Sequence, residues 1–98
     1  MTPLEAEDSM RRAVEADQLL KNRLLVQALD AIRADLFDKI ERTTWRQRSA
    51  REALYQQLVA CSNFESQLRY HIENGKVAKS WLEQYRATQA MKRSRRKA

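Results

Sequence analysis

Leu25-Val26-Gln27-Ala28-Leu29-Asp30-Ala31-Ile32-Arg33-Ala34-Asp35-Leu36-Phe37-Asp38-Lys39-Ile40 decides the fold class. Leu25, Leu29, Ile32, Leu36 and Ile40 recur every three or four residues, a spacing that lines them along one side of an α-helix. Val26, Arg33 and Phe37 broaden that side. Downstream, Leu54, Leu58, Cys61, Phe64, Leu68 and Ile72 repeat the spacing, flanked by Tyr55 and Val59. The two stripes are predicted to pack against each other. Between Leu4 and Asn74 there is neither glycine nor proline, and an interior glycine costs a helix about 1 kcal/mol and a proline about 3. The expected fold is all-α, a long helical hairpin with a short third helix.

Boundaries follow from capping chemistry. Thr2, Pro3 and Glu5 make a capping box with proline at the first helical position, so helix one is predicted over 3–42. At 1.5 Å per residue it reaches about 60 Å and needs a partner along its length. Residues 3–24 are more sparsely apolar and form either a separate helix or an arm that orders on a partner. Thr43-Thr44-Trp45 and the polar run Arg46-Gln47-Arg48-Ser49 supply the connection. Ser49 and Glu52 have capping-box spacing and place helix two at 50–74, and Asn74-Gly75 reads as its C-cap. Val77, Trp81, Leu82 and Tyr85 carry helix three over 76–91. Residues 1–91 thus form one helical domain, and 92–98 a mobile basic tail.

Ninety-eight residues fit one small domain with little room for an enclosed substrate pocket, which argues against an enzyme. A hydrophobic share of 43% is too high for a disordered chain. Long helices in so short a chain cannot cover their apolar stripes alone, so self-association or docking into a larger protein assembly is expected. The acidic, polar opening Met1 to Asp8 is not an export signal. Leu24-Leu25-Val26 falls far short of the roughly twenty apolar residues that cross a bilayer, so no membrane partner is expected. The single Cys61 cannot form an internal disulfide, suits a reducing cytoplasm, and reads as a small core residue.

Five cations, Lys92, Arg93, Arg95, Arg96 and Lys97, lie within the last seven residues, leaving the rest of the chain at +1 of its formal +6. That run can neutralise phosphates or meet an acidic partner, and it is the candidate nucleic-acid contact. The Thr43 to Ser49 connection lacks the usual glycine turn of a helix-turn-helix, so any such binding is non-specific. His71 is the only histidine, which with one cysteine excludes multi-histidine sites and the usual zinc frameworks. Asp30, Asp35, Asp38 and Glu41 interleave with Arg33, Lys39 and Arg42, so that Asp35–Lys39 and Asp38–Arg42 read as ordinary helical ion pairs. Nothing forms a phosphate loop or a nucleophile elbow. No catalytic residue, cofactor, metal or small-molecule substrate is expected. Among the aromatics, Trp45 at the helix junction and Trp81 are the candidates for a protein interface.

Leu36-Phe37, Trp45, Arg51-Glu52-Ala53-Leu54-Tyr55 and Ile72-Glu73-Asn74-Gly75-Lys76-Val77-Ala78 occur in this order. Over residues 25–85 the chain resembles small all-helical proteins encoded by tailed bacteriophages and prophages. The resemblance implies a virion-assembly or DNA-packaging gene neighbourhood, hence the bacterial cytoplasm or the virion, and carries over no site residues. The preferred reading is a non-enzymatic structural or adaptor component of a phage-like assembly. The alternatives are a nucleic-acid-binding accessory using the basic end and a small inhibitor of a host protein.

Overall fold

The capping box at the start of the chain forms as the sequence dictates. Thr2 Oγ1 accepts from the Glu5 N–H at 3.2 Å while Glu5 Oε2 accepts from the Thr2 N–H at 3.4 Å, and α1 runs from there over Pro3–Leu20. The computed structural model describes residues 1–97, the side chain of Lys97 excepted, as three helices: α1, α2 (Arg23–Glu41) and α3 (Arg48–Lys97). The described residues contain no strand, so the all-α class holds.

Helix one is not continuous over 3–42. It breaks at Lys21-Asn22, where Asn22 serves two ends at once. Its N–H donates to the Leu19 carbonyl at 3.1 Å, closing α1, and its side-chain oxygen accepts from the Leu25 N–H at 3.0 Å, opening α2. Pro3–Leu20 is thus a helix of its own, distinct from α2.

The connection falls where expected, but its far end is made differently. Thr43 Oγ1 donates to the Ile40 carbonyl at 2.6 Å, Gln47 Oε1 accepts from the Thr44 N–H at 2.9 Å, and the Gln47 carbonyl accepts from the Arg51 N–H at 3.0 Å. Gln47 therefore starts α3, and Ser49, predicted as the cap, lies inside the helix.

The stop predicted at Asn74-Gly75 does not form. Gly75 is helical, no described residue has a positive φ, and the predicted helices 50–74 and 76–91 are one 50-residue helix. The physical reason is a close approach. A β-carbon on Gly75 would overlap the Ala13 β-carbon and come within 3.4 Å of the Ser9 carbonyl, so glycine is there to admit α1 rather than to end α3. The basic run expected as a mobile tail is likewise helical through Lys97. Ala98 lies outside the described residues.

The chain divides into two compact units, Gln18–Leu68 and Met1–Asp17 with Arg69 onward. In the unit built from α1 and the later half of α3, Ala6 and Ala78 are fully buried with Leu82, and Met10 and Trp81 pack against them. Ala16 and Gly75 are buried as well. Ala13 beside Gly75 and Glu7 near Arg86, at 4.0 Å, make these two segments antiparallel.

In the unit of α2 and the earlier half of α3, Leu36 is buried and Leu29, Ile40, Leu54, Leu58, Cys61 and Leu68 are half-buried. Ile32 and Phe64, expected in this core, are exposed. Their places on the two inward stripes are taken by their neighbours Arg33 and Glu65, which form a 2.7 Å ion pair between the helices. On each helix a single-residue step of about 100° carries the apolar side chain off the stripe.

Candidate functional site

The basic end of the chain is positioned by α3 itself. Alanine, glutamine and arginine favour helix, and no glycine or proline follows Gly75. Trp81 and Tyr85, one turn apart, stack with ring centroids 5.2 Å apart and an interplanar angle of 16°. Trp81, Gln84, Tyr85, Thr88, Gln89 and Lys92 line one shallow groove, and Tyr85, Arg86, Gln89, Ala90, Arg93 and Ser94 line another. Lys92, Arg93, Arg95 and Arg96 are all exposed, and among the described residues no ion pair joins any of them to a carboxylate. The Lys97 side chain, the fifth cation of the predicted contact, lies outside what is described.

The two tryptophans predicted at interfaces have different environments. Trp45 stands 79% exposed in the α2–α3 connection, with the Arg46 guanidinium 5.1 Å from its ring centroid, a cation–π contact that leaves the other ring face open. Trp81 is half-buried: it packs against Ala6, Ala78 and Leu82 and also lines the groove beside Lys92. The basic cluster and Trp81 share one unit, while Trp45 belongs to the other.

The carboxylates behave as a solvated, salt-laced face. Asp35 pairs with Lys39 at 2.9 Å, Asp38 with Arg42 at 3.2 Å and Asp30 with Arg33 at 3.7 Å. Arg33 is also bound to Glu65, and that hydrogen bond above all holds its pKa above the ordinary arginine value. His71 is half-buried, its ring edge-on to Tyr70 with centroids 5.8 Å apart, and Cys61 is a free thiol. Among the described residues no three of His, Cys, Asp and Glu are grouped to hold a metal ion, and no helix is long and apolar enough to cross a membrane.

Sequence reasoning missed the small-residue contact of α1 with α3. Its signal is present: Ala6, Ser9, Ala13 and Ala16 recur at three- and four-residue spacing, as do Gly75, Ala78 and Leu82. Reading only large apolar residues hides it. No protein-family model, curated protein or solved structure matches the chain.

Proposed function

We propose that the chain is a non-enzymatic helical packing component that acts by self-association, and that, as its resemblance implies, it serves a phage-like assembly. The observation that carries this reading is the imbalance between core and surface. Among the described residues five apolar side chains are buried, whereas sixteen large apolar ones are exposed.

Scattered apolar residues on a surface are ordinary; here it is their number beside so small a core that favours a partner. In the α2 unit they include Leu24, Phe37, Trp45 and Val59, and in the α1 unit Leu4, Val14, Tyr70, Val77 and Met91. Sedimentation equilibrium over a dilution series tests the proposal. The expected result is a mass that is a multiple of 11.6 kDa and falls on dilution, with Phe37→Glu and Trp45→Glu weakening association. A monomer at every soluble concentration contradicts it.

A further inference from the structure

The net charge of this protein resides entirely in one helical segment. Residues 1–83 contain thirteen lysines and arginines and thirteen carboxylates, so they are formally neutral, whereas residues 84–98 contain six cations and no acidic residue. Glu83 directly precedes this segment on α3, and among the described residues the one ion pair of a cation within it is that of Arg86 with Glu7, at 4.0 Å. Because α1 begins at Pro3 and runs antiparallel, one turn beyond that pair its length is exhausted, and α3 continues from about Ala90 to Lys97 past the start of α1.

Helix electrostatics explain part of the pattern. Cations in a last turn offset the negative helix end, an effect that fades beyond that turn. It covers Arg95 and Arg96 and leaves Arg86, Lys92 and Arg93 unexplained. At 100° per residue, Arg86 and Arg93 share one side of α3, Lys92 and Arg96 the next, and Arg95 a third, together sweeping about half of the circumference. The short side chains of Ala90 and Ser94 flank the Arg86 and Arg93 edge of that arc, and one turn back stand the hydrogen-bonding side chains of Gln84, Tyr85, Thr88 and Gln89.

We propose that this end of α3 binds the phosphate backbone of duplex DNA without reading its sequence. The major groove of B-form duplex DNA is wide enough for an α-helix and is flanked by phosphates on both sides. Cations spread over half of a helix can reach both strands, and a run of one sign slides along a uniform backbone with no register to fix. An acidic protein would present a finite patch, for which nothing here sets a matching register. This inference does not rest on self-association.

Fluorescence anisotropy of the full chain with a mixed-sequence DNA duplex, titrated with salt, tests it. The expected result is binding at low salt, with log K falling against log salt at a slope of about −4 to −5 for five phosphate contacts. Replacing Lys92, Arg93, Arg95 and Arg96 together by glutamine, a residue of similar helix propensity, should reduce the slope to about −1 or abolish binding, while helicity by circular dichroism is unchanged. A control chain carrying Arg46→Gln, Arg48→Gln and Arg51→Gln should keep the original slope. Absence of binding at low salt overturns the proposal, as does a quadruple variant that binds like the parent. Equal affinity for a polyglutamate peptide at the same salt also overturns it, in favour of an acidic protein partner. Should the quadruple variant lose its helix, the slope measured on the unaltered chain decides alone.

Discussion

The two units pack helix against helix by opposite means. Where α1 meets the later half of α3, the contact is made by alanine and glycine, with Ala6, Gly75 and Ala78 letting two backbones close on each other. Where α2 meets the earlier half of α3, larger side chains are buried or half-buried around Leu36, and a charged pair, Arg33 with Glu65, occupies the place of an apolar layer. The first contact depends on the absence of atoms and is intolerant of addition. The second depends on their presence and is sensitive to removal. A single helix thus carries both kinds of packing in sequence.

That contrast yields its largest expected effect at Leu36. Leu36→Ala removes a side chain that is 3% exposed and should lower unfolding stability by about 2–5 kcal/mol, measured by urea denaturation. Ile32→Ala, on the same helix but 48% exposed, should fall well below that range; equal losses would mean that the inward stripe is misassigned. Gly75→Ala comes next. In an open helix this change stabilises by about 1 kcal/mol, but here the added methyl meets Ala13, and overpacking should reverse the sign to a loss of about 1–3 kcal/mol.

The caps separate by a smaller margin. Asn22→Ala should lower the thermal midpoint in line with a loss of about 1 kcal/mol, because its side chain satisfies the Leu25 N–H, whereas Ser49→Ala should stay within about 0.5 kcal/mol. The smallest effect is on pH dependence. Hydrogen bonding to Glu65 raises the Arg33 pKa, so its stabilising share is complete below the ordinary arginine value and is lost only as pH climbs through the raised one. Melts of the parent and Arg33→Met should therefore keep a constant offset from neutral pH to moderately alkaline pH.

Much of the fold was legible because its signals are local. The Thr2–Glu5 cap, the connection after Arg42 and the leucine stripes of α2 and α3 all follow from spacing and side-chain chemistry. What was not legible depends on tertiary partners. Gly75 has the composition of a helix stop, and only the presence of Ala13 makes it a helix interior. Spacing places Arg33 beside the apolar stripe of α2, but its pairing with Glu65 of α3, with Ile32 and Phe64 exposed, depends on a partner distant in sequence. The basic end was recognisable as a cluster of charge, but its extension as helix past the start of α1 was not, since that requires the register set by Glu7 and Arg86.

Which apolar surface remains open, and how far α3 projects beyond α1, both follow from α1 lying against α3 at Gly75. A double-mutant cycle of Gly75→Ala and Ala13→Gly, followed by chemical denaturation, measures that contact directly. Removing the methyl on one side should make room for the methyl on the other, so the pair should be more stable than the sum of its single losses by at least about 1 kcal/mol. Strictly additive losses would contradict the contact, and with it the assignment of the surface left for partners.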